Sequence, residues 1–363
     1  MPSTKSQPIP APAVSANLDL LRAIAVLCVF TNHLLDTVTR LRWGSLGRFG
    51  VILFFVHTSL VLMYSLDRMQ HATETDSRLT VAFWLRRIFR IYPLALLTVL
   101  VVILFHIPLR PHGTYTWIGL KGFVSNLALT QNLTASRGVL GVLWSLPLEV
   151  QMYVLLPFAY LICRNTRYRS LALWILSIPA GIYVFRLNWR LDVFHYAPCF
   201  ASGIVAYDLS RAHPRFARLL PAWIWPIGIF AAIVLFGPRD DMGLGVKLPR
   251  AWILSLAVAV LWVAVKESSP SPLTAVAHWI ADRSYGIYLS HTILFWLFLH
   301  KLAIYSIWLR VPALALTCVL VPALLYRYVE RPLMLVGNHI SRRILHPTLS
   351  SEPPAKPTGA VPV

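Results

Sequence analysis

Long apolar runs alternate along the chain with short breaks that are polar, basic or proline-containing. A helix that crosses a hydrocarbon core needs about 17 to 25 predominantly apolar residues, and by that criterion roughly ten runs reach or approach a span. They lie near Leu18 to Leu35, Gly47 to Leu66, Ile91 to Ile107, Val139 to Ile162, Leu171 to Phe185, Val193 to Leu209, Trp223 to Phe236, Ala251 to Val265, Tyr285 to His300 and Ile307 to Tyr326. Several are short, which fits tilted, broken or re-entrant helices. A further run, Trp117 to Leu129, carries Lys121 and reads as a loop or interfacial helix. The pattern predicts an all-α integral membrane protein with about ten transmembrane helices.

Composition agrees: of 363 residues, 57% are hydrophobic and only 13% charged, far more apolar than a soluble globular domain. The formal net charge of +19 raises the question of nucleic acid. However, the Lys and Arg residues sit at the ends of apolar runs rather than in an arm or a soluble module, as in multi-pass membrane proteins. The expected partner is therefore the lipid bilayer and not nucleic acid. Loops on the side of the N-terminus hold the larger share of Lys and Arg, which places both termini in the cytoplasm. Cys28, Cys163, Cys199 and Cys318 lie in or beside different apolar runs and read as buried thiols without a disulfide framework.

Met1 to Ala16 is rich in Pro and Ser and lacks a small-residue cleavage site after the first apolar run, which favours a disordered tail before an uncleaved first span. A membrane domain is expected over residues 17–334, followed by a cytoplasmic tail over residues 335–363 whose end, "SSEPPAKPTGAVPV", has the composition of a disordered segment. No repeat and no attached soluble domain is read at either end, so any chemistry is expected from the helices and their loops.

An ionisable side chain at membrane depth is costly and marks a functional candidate. In "RAIAVLCVFTNH" the first span carries Arg22 and His33. Eleven residues of helix turn almost back to the starting direction and climb about 16 Å, so the two share one face about half a membrane apart. A snorkelling Arg and a helix-end His would explain them equally well. In "WSLPLEVQMY", Glu149 stands well inside an apolar run after Pro147, with Gln151 two residues on. A buried carboxylate pairs with a cation or takes up a proton; Arg22 is a possible partner, and a substrate-binding or base-orienting role has equal weight. In "FWLRRIFRIYP", Arg86, Arg87 and Arg90 alternate with apolar residues before Tyr92-Pro93. This predicts a short amphipathic helix that could hold phosphates or rest on anionic headgroups. In "SYGIYLSH", Ser290 and His291 are sequence neighbours and so point about 100 degrees apart on a helix, which argues against a nucleophile and base pair. His57 lies mid-span, where a hydrogen bond across helices and a place in a reaction site are both open. No HExxH, CxxC, GxGxxG or P-loop spacing occurs, so no metal site is expected.

Six segments, "LDLLRAIAVLCVFTNH", "RFGVILFFVHTSLVLM", "FWLRRIFRIYPL", "LWSLPLEVQMYVLLP", "SYGIYLSHTILF" and "YRYVERPL", resemble in order and rough spacing the membrane acyltransferase-3 family. The resemblance covers about Asn17 to Leu333. It implies acyl transfer from acyl-CoA, acetyl-CoA in particular, used as a donor substrate rather than a resident cofactor. The acceptor it implies is a hydroxyl of an envelope or exported glycan, or a similar small molecule, and the setting is the bacterial cytoplasmic membrane. The family's Arg and His of the first helix fall on Arg22 and His33, and its Trp-to-Glu signature on Trp144, Ser145 and Glu149. Its basic segment falls on Arg86, Arg87 and Arg90 before Tyr92, and its late "YLxH" on Tyr288 and His291. On this reading His33, Arg22 and Glu149 are catalytic, and Arg86, Arg87, Arg90 and Tyr92 bind the donor. Trp144, Ser145, Gln151, His57, Tyr288 and His291 support the substrates. Leu20, Ile52 and His57-Thr58-Ser59 depart from the family pattern. A transporter or flippase is the rival class, since charged residues also line translocation paths; an assembly partner without turnover is a second rival.

Overall fold

Without water to satisfy the backbone, apolar runs of this length fold as helices whose hydrogen bonds close internally. The computed structural model describes residues 15–39, 43–73, 75–111, 113–164, 168–212, 218–239 and 244–346. Among these residues the protein is all-helical with no strand, apart from one isolated bridge between Leu220 and Val265. The helices are α1 (Ala16–Thr39), α2 (Gly44–Gln70), α3 (Asp76–Leu104), α4 (Gly119–Leu127), α5 (Leu146–Cys163), α6 (Arg169–Leu187), α7 (Val193–Ala212), α8 (Ile224–Phe236), α9 (Leu244–Ala264), α10 (Pro272–Phe295), α11 (Ile307–Leu325) and α12 (Arg331–Leu345). Short 3-10 turns at Gly141–Trp144 and Trp189–Leu191 precede α5 and α7, and wide turns at Trp296–Lys301 and Tyr326–Glu330 follow α10 and α11.

Seven stretches are long and apolar enough to cross a membrane by length and composition: α1, α2, α3, Gly141–Cys163, α6, Lys247–Ala264 and Ile307–Leu345. The remaining expected spans fall on helices that miss this standard for visible reasons. α8 has 13 residues, α7 ends in Asp208 and Arg211, and the first half of α10 carries His278, Asp282 and Arg283. The chain is a multi-pass membrane protein.

Three expected boundaries are corrected. The basic segment Phe83 to Pro93 is not a separate short helix but the middle of α3, which runs through Pro93; neighbouring helices tolerate the backbone bond that proline removes. The expected span from Val139 to Ile162 is broken ahead of α5, with Pro147 in the first turn, where a missing N–H costs nothing. Glu149 therefore stands in that first turn, not deep in a helix. The expected C-terminal tail begins as helix: α12 turns Gly337, Ser341 and Leu345 inward, and Arg86 Nε donates to Ser341 Oγ at 2.7 Å, so α12 packs on α3. At the other end, Ser15 already hydrogen-bonds Glu267 at 3.0 Å and α1 begins at Ala16. The tails expected at residues 1–14 and 347–363 lie outside the described residues.

The core is built on α1 and α2, with α7 and α10 against them. Small residues let these helices approach closely: a Cβ on Gly203 of α7 would lie 2.4 Å from the Val56 carbonyl oxygen of α2. α10 opens with a capping box in which Ser271 Oγ accepts from Thr274 N at 3.2 Å and Thr274 Oγ1 accepts from Ser271 N at 2.8 Å, with Pro272 in the first turn. The segment between α3 and α5 folds back over one end of the bundle. Asn126 holds it, donating to the carbonyls of Gly122 at 2.8 Å and Arg137 at 2.9 Å and accepting from Val139 N at 3.0 Å.

Candidate functional site

Two neighbouring cavities lie inside the bundle. The larger, about 1540 Å³, opens at the end covered by the α3–α5 segment and is lined by His33, Arg48, Asn132, Trp144, Asp192 and Tyr288 among others. The smaller, about 50 Å³, lies deeper, between Arg22, Thr58, Ser145, Glu149, Ser284 and Tyr285. Val51 and Tyr288 line both. Because α1 is one unbroken helix, its eleven-residue spacing carries His33 to the large cavity and Arg22 to the small one.

His33 sits against His291 of α10, ring centroids 5.3 Å apart. The neighbouring Asn32 is locked, its amide donating to Asp36 at 3.0 Å while its oxygen accepts from Gly47 N at 3.1 Å. His291 Nδ1 lies 2.9 Å from the Ile287 carbonyl oxygen. A carbonyl only accepts, so Nδ1 carries the proton and Nε2 the lone pair. That Nε2 is buried with no hydrogen-bond partner among the described residues. Phe30 and Phe295 pack on the His291 ring at 5.9 and 5.6 Å.

Tyr288 forms the junction. Its hydroxyl donates to the Val142 carbonyl at 2.6 Å, so the Ser145 hydroxyl, also at 2.6 Å, donates to Tyr288. This chain fastens α10 to the turn ahead of α5. Beneath it, Tyr153 donates to the Glu149 carboxylate, and Arg22 lies within Coulombic reach of Glu149, Tyr153, Arg90 and Glu330. Arg90 pairs with Glu330 at 3.2 Å, the two side chains 12% and 0% exposed, so this ion pair lies in the protein interior. Gly286 makes room for it, since a Cβ there would lie 3.2 Å from Glu330 Oε1. Arg22 Nε and Ser284 Oγ are buried without hydrogen-bond partners among the described residues.

The three arginines of α3 diverge. Arg90 is committed to Glu330, Arg86 faces Ser341 of α12, and Arg87 stacks near Phe83 at 5.9 Å. Tyr92 donates to the Ala128 carbonyl at 3.1 Å, just past α4 and apart from the arginines. Gln151 donates to Asn132 at 3.0 Å, and Asn132 to Asp192 at 2.9 Å; of the three, Asn132 and Asp192 line the large cavity. Burial pushes the Asp192 carboxyl up, against the pull of Asn132 and two backbone N–H groups. His57 is buried within Coulombic reach of Arg22, and the residues that line the small cavity from that stretch of α2 are Phe54, Phe55 and Thr58.

Several of these residues were not singled out by sequence reasoning. Glu330 stands in the motif "YRYVERPL" between Arg327 and Arg331, where it looks like a surface charge; its signal is a lone acid directly after a long apolar run. Tyr153 stands four residues after Glu149, one helical turn away. Asn132 and Asp192 come from segments without periodicity. Among the described residues no cluster of His, Cys, Asp or Glu could hold a metal ion.

A helical membrane bundle with ionisable side chains gathered around two neighbouring cavities defines a class, and comparison with known proteins identifies it. The chain matches the acyltransferase domain over residues 15–327 and belongs to that family, acyltransferase-3. It is 24% identical over 361 residues to the peptidoglycan O-acetyltransferase OatA of Listeria monocytogenes, covering 87% of this chain and 55% of that protein. It is 26% identical over 323 residues to the O-acetyltransferase OatA of Staphylococcus aureus, covering 77% of this chain and 50% of that protein. It is 32% identical over 179 residues to the acyltransferase MdmB of Streptomyces mycarofaciens, covering 45% of this chain and 43% of that protein. The chain thus spans about half the length of the curated relatives it matches. No solved structure matches it.

Proposed function

We propose that this protein is an acyltransferase of the bacterial cytoplasmic membrane that moves an acetyl group from acetyl-CoA to a hydroxyl of an envelope or exported glycan. All ten apolar helices span the bilayer, and both termini face the cytoplasm. The observation that carries this reading is that Tyr288 lines both cavities, with His33 in the lining of one and Arg22 in that of the other, in a chain of this family.

In this mechanism the acceptor occupies the large cavity with its hydroxyl at His33, and the donor reaches the junction from the Arg22 side, its phosphates held by Arg86 and Arg87. Neutral His33 takes the hydroxyl proton as the oxygen attacks the thioester carbonyl. The tetrahedral oxygen gathers negative charge, for which hydrogen-bond donors at the junction are needed. On collapse the C–S bond breaks, and the proton on His33 passes to the departing sulfur. The His291 ring, oriented by Ile287 and wedged by two phenylalanines, holds His33 in place. Arg22 and Glu149 set the polarity of the donor side and keep Tyr153 and Arg90 in register.

The test uses the purified full chain in liposomes with acetyl-CoA and no ion or voltage gradient. Release of free thiol, with an acetyl mass gained by an envelope glycan fraction, is the expected result. Movement of a glycan without thiol release would contradict it.

A further inference from the structure

The large cavity holds more positive charge than its own carboxylates use. Arg48 projects into it from α2, on the same helical face as Gly44, Gly47 and Val51; Arg110 and Arg137 reach it from the α3–α5 segment. A backbone hydrogen bond from Gly141 N to Leu109 O at 3.2 Å ties the two loop stretches that carry Arg110 and Arg137, and both residues line the cavity. The cavity's two carboxylates, on Asp36 and Asp192, are engaged elsewhere. Asp36 accepts from Trp43 N at 2.8 Å and from Asn32 at 3.0 Å, and Asp192 accepts from Asn132 at 2.9 Å. Among the described residues none of the three guanidiniums forms an ion pair with a carboxylate. The buried arginine Arg90, by contrast, is paired with Glu330 at 3.2 Å.

The other walls suit a polyhydroxylated molecule. Trp144 lines the cavity as a flat apolar face, and Asn132 and Asp192 present amide and carboxylate atoms that can bond hydroxyls. At about 1540 Å³ the space exceeds the roughly 300–1,000 Å³ of common small-molecule sites, so a disaccharide-sized ligand fits beside His33.

We propose that the acceptor site takes a saccharide bearing an oxyanion, a carboxylate or a phosphate, held by Arg48, Arg110 and Arg137 while a hydroxyl of the same molecule lies at His33. Planar guanidinium forks match either oxyanion in two-point contacts. This inference rests on the acyl-transfer reading for the place of the hydroxyl, but the binding preference it asserts is measured without turnover.

The experiment titrates the full chain, in nanodiscs of phosphatidylcholine and without acetyl-CoA, with three probes: cellobiose, cellobiouronic acid and cellobiose 6-phosphate. Calorimetry is expected to give at least one anionic probe an affinity about tenfold above cellobiose, the factor that about 1.4 kcal/mol of charge-assisted bonding supplies. The winner of the two anions identifies the oxyanion as carboxylate or phosphate. The Arg48→Gln, Arg110→Gln, Arg137→Gln triple variant removes the preference, and a single Arg110→Gln variant, on an exposed loop, reduces it without risk to folding. Equal affinities, no saturable binding of either anion, or a preference that survives the triple variant would overturn the proposal. A preference that vanishes only in nanodiscs of anionic lipid supports it, because headgroups then compete for the same guanidiniums. If the three arginines change lipid association and leave saccharide binding untouched, it is overturned. Failure of thiol release with the anion preference intact would count against the acyl-transfer reading instead.

Discussion

The two cavities use the same residue types in opposite ways. At the small one, Glu149 is bonded by Tyr153 with Arg22 in Coulombic reach, and the Arg90–Glu330 pair, outside the lining but also in reach of Arg22, lies 3.2 Å apart with the Glu330 side chain 0% exposed. In the large one, arginines stand at an open rim and the acids are bonded to amides and backbone. Depth explains the difference. A charge removed from water must be matched by a partner or it costs several kcal/mol, whereas a charge at a hydrated mouth can wait for a ligand. The buried Arg90–Glu330 pair therefore helps hold the bundle together, whereas Arg48, Arg110 and Arg137 at the large cavity form no ion pair among the described residues.

The sharpest way to break this contrast is Glu330→Ala, which leaves Arg90 buried without its counter-charge. A loss of about 3 to 5 kcal/mol is expected, seen as a large fall in Tm in detergent, and the double variant Arg90→Met, Glu330→Leu should recover most of it. A Tm unchanged by Glu330→Ala would mean that the inner charges do not stabilise the bundle. Tyr288→Phe comes next. It strips the Val142 carbonyl of its donor and leaves the Ser145 hydroxyl without its acceptor, a cost of about 1 to 3 kcal/mol, with transfer slowed further because the junction loosens. Thermal unfolding and turnover measured on one preparation separate the two effects.

A smaller effect is expected at the edge of the bundle, where Arg164 meets Asp76 in a two-point contact at 2.6 and 3.0 Å. The hydrogen bonds that Arg164 donates to Asp76 hold the guanidinium's pKa above its ordinary value. The side chains are 25% and 45% exposed, so Arg164→Ala should cost no more than about 1 kcal/mol and lose its effect in high salt. The smallest is a pH effect at Asp192. Burial raises its folded pKa, so the folded state binds the proton more tightly than the unfolded chain. Its contribution to stability is then present below the unfolded pKa and is lost as pH rises through the folded one. Asp192→Asn should flatten that slope in Tm across the mildly acidic range; a steeper slope in the variant would contradict it.

How much of this was legible beforehand differs between the two regions for the same physical reason. Ionisable residues inside apolar runs stand out, so Arg22, His33 and Glu149 could be picked from the sequence, and the helical pitch alone separated Arg22 from His33. The family motifs added Ser145 and Tyr288. Glu330 was not picked because flanking arginines disguise a buried acid as a surface one; only the packing of α3, α10 and α12 reveals its partner. The wall of the large cavity was harder still. Asn132, Asp192 and the Arg110–Arg137 rim come from segments whose conformation depends on side-chain bonds, such as those of Asn126, that leave no period in the sequence. Helix boundaries slipped at two prolines: α3 runs unbroken through Pro93, where a separate short helix is expected, and Pro147 marks a helix start inside a run expected as one span.

The central claim is that His33, at the mouth side of the junction, takes the proton of the acceptor. The most direct measurement is acceptor-dependent thiol release from acetyl-CoA by liposomes carrying either the wild-type protein or His33→Ala, with Tm recorded for both. General-base catalysis contributes about 10² to 10⁴ in rate. A loss of that order at unchanged Tm is expected, whereas wild-type rates from a folded His33→Ala protein would rule out His33 as the base.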